Sequence, residues 1–172
     1  FAHEAAAALH AAGAALAFDT FGQTTMIAHD GGIGQVLEDL GPYLDYCSPM
    51  VSPSPWATGW FGVPYPATEP YAVVRASVAQ AVARLAAFPG VVVRPWLQDF
   101  PDYQAGRQSY GADEVRAQID ASAAGGGSGF MLWDPSLDYQ FDALVNLRAV
   151  PAGWQITDEE LVEMLRFPDP KS

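Results

Sequence analysis

Three aspartates stand where apolar runs stop: Asp19 after Ala14-Ala15-Leu16-Ala17-Phe18, Asp99 in Arg94-Pro95-Trp96-Leu97-Gln98-Asp99, and Asp134 after Gly129-Phe130-Met131-Leu132-Trp133. A carboxyl group at the end of a buried strand sits at the rim of a sheet, half in water, where its proton affinity can be tuned. Two such groups facing each other can cleave a glycosidic bond. They need a separation of about 5–5.5 Å for retention of configuration, or about 6.5–9.5 Å for inversion. Asp99 and Asp19 are the candidate catalytic acids, although a turn or N-cap role accounts for Asp19 as well.

Their neighbours suit a sugar. Residues two apart share a strand face, so Arg94, Trp96 and Gln98 point the same way, broken locally by Pro95. Sugar rings present apolar C–H faces and hydroxyl rims, which aromatic rings and amides match. Trp96, Trp133, Trp56, Arg94, Gln98, Asp134 and Ser54 are therefore the candidate substrate-binding residues. Other chemistries are poorly served. His3, His10 and His29 have no metal-ligand spacing with acids or with Cys47, so neither a metal nor an organic cofactor is expected. There is no Gly-x-Ser-x-Gly elbow. The glycines from Gly125 to Gly129 precede a strand, whereas a phosphate loop follows one.

The elements that must hold these residues alternate. Helical propensity covers 2–12, and an apolar run leads to Asp19. A short helix lies at 35–40, a second strand at 43–51, and a Pro/Trp-rich loop at 52–70. Val74, Val78, Ala81, Val82 and Leu85 make a helical stripe within 71–88. Val91-Val92-Val93 opens a third strand, 112–123 is helical, and 129–133 is a fourth strand. Thr157-x-x-Glu160 reads as a capping box for a last helix ahead of Leu161, Met164 and Leu165. Continuous apolar strands alternating with helices predict an α/β fold with a parallel sheet. The polar and aromatic residues gather at strand C-termini, which is the habit of a (β/α)8 TIM barrel. A full barrel takes about 250 residues. The 172 present, starting at Phe1 as if inside a helix, are expected to supply the C-terminal four βα units, a partial barrel. The expected division is 1–150 for the barrel part and 151–172 for a C-terminal helix and tail. An open doubly wound sheet is the alternative, but it would call for a Gly-rich turn after a strand.

Composition narrows the partners. Eight basic against 20 acidic residues give a net charge of −12, which repels nucleic acid and anionic lipid. No run of about 18 apolar residues could span a membrane, and the Ala-rich start lacks the basic region of a signal peptide. Half the residues are hydrophobic and 16% charged, as in a globular domain with a real core. Cys47 lies in an apolar strand, where an inert buried thiol is expected.

Asp45-Tyr46-x-Ser48-Pro49-Met50, continuing to Pro53-Ser54 and Gly59, resembles a stretch found in a bacterial family of glycosyl hydrolase-like proteins. Its members are mostly described as a TIM-barrel domain of unknown function. Arg94-Pro95-Trp96-Leu97-Gln98-Asp99-Phe100 resembles another of its strands. Asp19-x-Phe21-Gly22, Gly32-Ile33-Gly34-Gln35, Gln118-Ile119 and Trp133-x-Pro135 fit in the same order, over roughly residues 1–139. Ser52, Pro55 and Trp56 stand where the family has Tyr, His and Tyr, and Asp134 stands where it has Asn. The resemblance implies a TIM-barrel glycoside hydrolase with a carbohydrate substrate, in a secreted or cell-envelope setting. It also implies a first barrel half, supplied by a missing N-terminal part or a second chain. The rival function is a non-catalytic carbohydrate-binding or scaffold domain on a degenerate barrel. A polysaccharide deacetylase is a further rival, which the histidine pattern disfavours.

Overall fold

The computed structural model of the chain describes residues 1–102, 109–145 and 157–164. Helix α1 (Ala2–Ala11) leads to strand β1 (Ala17–Phe21), a 3-10 turn (Gly22–Thr25) and the single-turn helix α2 (Leu37–Leu40). Strand β2 (Tyr46–Met50) precedes the long helix α3 (Pro70–Leu85). Strands β3 (Val92–Val93) and β4 (Trp96–Gln98) follow, then α4 (Ala112–Ala124), β5 (Met131–Trp133), α5 (Asp142–Val145) and α6 (Asp158–Met164). All pairings are parallel, and the order across the sheet is β1-β2-β4-β5, with β3 beside β2. The sheet therefore runs in chain order. The expected α/β fold with a parallel sheet is observed.

Two boundaries differ from expectation. The first strand begins at Ala17, not Ala14, because Ala14 still donates to Leu9 O and the chain is closing the helix turn there. Asp19 thus lies in mid-strand, opposite Ser48. The expected strand from Val91 to Asp99 is two pieces, since Pro95 has no N–H for the ladder. The capping box at the last helix is made: Glu160 N donates to Thr157 Oγ1 and Thr157 N to Glu160 Oε2. Trp154, the Leu165 end of that helix and most of the 151–172 tail lie outside the described residues.

Register assigns each strand residue a face. Phe18, Cys47, Val93, Leu97 and Leu132 all join the main core with Val74, Val78, Ala81 and Leu85 of α3 and Ala117 and Ala121 of α4. Those α3 residues are spaced four, three and four, so they form one stripe against the sheet. A second face of α3, Ala72, Val73 and Ala76, packs on Met26, Trp56 and Phe61. Helix α3 starts on Pro70, whose missing N–H costs nothing at a first helical position. Gly125 ends α4 where a Cβ would stand 3.0 Å from Arg75 O and from Val78 Cβ, so a side chain there would push the two helices slightly apart. Cys47 is fully buried, and burial pushes its thiol up to about 11. Such a thiol is inert at neutral pH.

Ala17, Asp19, Phe21, Tyr46, Ser48, Met50, Arg94, Trp96, Gln98, Met131 and Trp133 alternate onto the opposite face, and none of them joins the helix-side core. Phe21, Met50 and Trp133 are exposed there. Parallel sheets are ordinarily covered on both faces. In this one, among the described residues, the helices cover one.

One side chain ties the helical layer to the sheet. Gln98 N donates to Gln118 Oε1 at 2.9 Å, and Gln118 Nε2 donates to Gln98 O at 2.8 Å. The α4 amide thus takes the place of a neighbouring strand, with both glutamines fully buried. Gln118→Leu keeps the volume but strands both backbone groups of Gln98. It is expected to lower unfolding free energy by about 2–3 kcal/mol, measured by urea denaturation.

Candidate active site

Asp99 follows β4 immediately and continues its ladder, its N–H donating to Trp133 O at 3.0 Å. The residue is 2% exposed. The loop after β5 wraps round it. Gln140 N donates to both carboxylate oxygens, at 3.1 and 3.3 Å, while Asp134 and Asp138 stand near enough to act on its charge. Burial, opposed by the Gln140 hydrogen bond and reinforced by those two acids, pushes the Asp99 carboxyl up to about 6. A group that holds its proton to that pH can donate it. Asp134 is also buried, its Oδ1 accepting from Ser136 N. Between them Leu137 is held at φ 60 while 74% exposed, a conformation that costs a non-glycine residue about 1 kcal/mol or more.

Asp19 lies elsewhere. It is exposed on the uncovered sheet face, its Oδ1 accepting from Trp96 Nε1 at 2.9 Å across the intervening strand. Gln35 braces the same edge, accepting from Phe21 N and donating to Asp19 O. Strand alternation carries Asp99 to the helix side, one residue beyond Gln98. The acids gathered round Asp99 are therefore Asp134 and Asp138, and Asp19 joins the aromatic face instead. Trp96 and Trp133 meet edge to face there, with centroids 6.2 Å apart, and Trp133 is 51% exposed. Arg94 lies on the same face with its guanidinium 4.5 Å from the centre of the Tyr46 ring.

Three expected ligand contacts are occupied by the protein itself. Gln98 accepts from Ser54 N and donates to Ser54 Oγ and Phe100 O, so its amide and Ser54 pin the loop after β2 to the loop after β4. Trp56 is packed into the second core cluster, with ring centroids 4.8 Å from Trp60 and 4.7 Å from Phe61. Its ring has little free face for a sugar. Asp138 is the one acid of the group round Asp99 that lies outside the apolar-run pattern of Asp19, Asp99 and Asp134. Its signal was a second aspartate four residues after Asp134, in the loop that leaves a strand end. Among the described residues, no group of three or more His, Cys, Asp or Glu is arranged to hold a metal ion. None of the described helices is long and apolar enough to cross a membrane.

The profile of one protein family, described as "Putative glycosyl hydrolase domain", matches residues 1–139. The chain belongs to that family. The match spans α1 to the loop after β5, and so takes in Asp19, Asp99, Asp134 and Asp138. No curated protein and no solved structure matches the chain.

Proposed function

We propose that the chain is part of a glycoside hydrolase, with Asp99 as its proton donor. The observation that carries this reading is the Asp99 carboxyl, buried at a strand end beside two other acids and pushed up to about 6. Glycosidic cleavage needs a carboxylic acid that is still protonated when the sugar oxygen leaves. The family membership points the same way. Asp134 and Asp138 are the further carboxylates beside Asp99, while Trp96, Trp133 and Asp19 offer a sugar a stacking surface on the other side of the sheet. The fold that suits this arrangement is a run of four consecutive βα units of a TIM barrel. Chain-order parallel strands, helices on one face and a polar, aromatic other face support it. The uncovered face would then be the barrel interior, with its remaining wall from further strands.

Screening the full-length protein against neutral and acidic oligosaccharides tests the function. Turnover is expected to fall as pH rises through about 6, because that step removes the Asp99 proton. An activity that keeps rising above pH 7, or that survives unchanged in both Asp99→Asn and Asp19→Asn, would sink the assignment.

The placement of Asp19 and Asp99 on opposite faces favours a second reading, a carbohydrate-binding domain without catalysis. Glycan binding with no cleavage of any bound sugar would select it.

A further inference from the structure

The polar row beneath the two tryptophans has chemistry that neutral sugars do not need. Cys47 pairs with Val93, so one step on Ser48 stands beside Arg94, and Asp19 stands beside Ser48 on the other side. Asp19, Ser48 and Arg94 thus form one row on the face that the described helices do not cover. Ser48 is fully buried, and its hydroxyl has no hydrogen-bond partner. The Arg94 Nε is buried and likewise without one, as is the Arg116 Nε, so what sets Arg94 apart is its lack of an acid. Arg75, Arg84 and Arg116 each pair with a carboxylate, Asp158, Glu38 and Asp120 respectively. Arg94, among the described residues, has only the Tyr46 ring. With acidic residues outnumbering basic ones 20 to 8, a guanidinium left without an acid is the exception among the described arginines.

An unsatisfied buried donor costs stability, about 1–3 kcal/mol for a polar group, and persists where something else completes it. Arginine presents a planar fork of N–H donors that fits a carboxylate. The geometry points to a subsite for the carboxylate of an acidic sugar, a uronic acid residue of the glycan. Arg94 would pair with the carboxylate, Ser48 would add a hydroxyl donor, and the Trp96 ring would lie over the sugar. This rests on the carbohydrate reading above and specifies its substrate class.

The test is calorimetric titration of the full-length protein with oligogalacturonate, oligoglucuronate and oligomannuronate, each against its methyl ester, which keeps the ring and removes the charge. At least one acid form is expected to bind roughly tenfold or more tighter than its ester. That preference should collapse in Arg94→Met. In Ser48→Ala it should weaken several-fold while Tm holds or rises, because a buried unpaired hydroxyl has gone. Should Arg94→Met fail to fold, the Ser48→Ala result decides alone. Equal binding of acid and ester by the native protein would overturn the proposal, as would a folded Arg94→Met or a Ser48→Ala that keeps the full preference. Cleavage of neutral glycans without any acid preference removes this inference and leaves the hydrolase. Acid-selective binding without cleavage does the reverse.

Discussion

Asp99→Asn is expected to lose glycan turnover by about two orders of magnitude or more, and at the same time to fold more stably above pH 6. The two effects have one cause. The Asp99 carboxyl is raised from 3.8 to about 6 in the folded chain, so the folded state prefers it protonated. That preference contributes stability in full below about pH 4 and is lost as pH rises through about 6. At pH 8 the native protein carries an ionised, 2%-exposed carboxylate beside Asp134 and Asp138, and asparagine removes that charge. Its carbonyl can still accept from Gln140 N, and its new N–H groups can face the neighbouring acids. Raising the carboxyl from 3.8 to about 6 corresponds to roughly 3 kcal/mol, and partial relaxation brings the expected gain to about 2 kcal/mol at pH 8. Thermal unfolding at pH 4 and pH 8 checks it. The variant should gain several degrees in Tm at pH 8 and almost nothing at pH 4. A uniform loss at both would mean that Asp99 is a structural acceptor and no more.

The second large effect lies at Arg84, far along α3 from the chemistry. Its guanidinium donates to Glu38 through Nε, at 2.7 Å, and through a second nitrogen, and it reaches Thr24 O and Ile27 O, the latter at 2.7 Å. One side chain thus fastens α3 to α2 and to the turn after β1. Glu38 is half exposed, so the ion pair itself is worth about 1 kcal/mol or less. The backbone carbonyls matter more. Arg84→Met leaves both without this donor and is expected to cost about 3 kcal/mol, read from urea unfolding. Glu38→Gln should cost under about 1 kcal/mol, because Arg84 keeps its carbonyl bonds. The Arg84 hydrogen bond holds the Glu38 carboxyl below its usual 4.5, so that part of the stability exists above about pH 4.5 and disappears as pH falls. Equal losses in the two variants would place the effect in the ion pair after all.

The strands, the long helices and the parallel sheet were legible because they depend on local runs. Val74, Val78, Ala81 and Leu85 can serve only a helix with one buried stripe. Pro95 could be seen to interrupt the ladder, although not that two short strands would remain. The site was harder to read. Trp56 and Trp133 are the same residue type in similar local settings, yet one is core and the other is half exposed. Residues distant in sequence, Met26 and Ala76 among them, make that difference. Gln98 looked like a ligand contact because its partners Ser54 and Gln118 are 44 and 20 residues away. Asp19 and Asp99 looked alike as run-ending acids. Only the register, with Asp19 opposite Ser48 and Asp99 one step past Gln98, puts them on different sides.

The grip of Gln118 on Gln98 makes this strand amide a reporter on the helices. In an ordinary sheet that proton would exchange with solvent when neighbouring strands part. Its acceptor here is carried by α4, so deuterium enters when that helix or its Gln118 side chain moves away. The amide next in line belongs to Asp99 and is held by Trp133 O. Exchange rates at this adjacent pair would therefore separate two motions, release of Gln118 at one position and strand separation at the next.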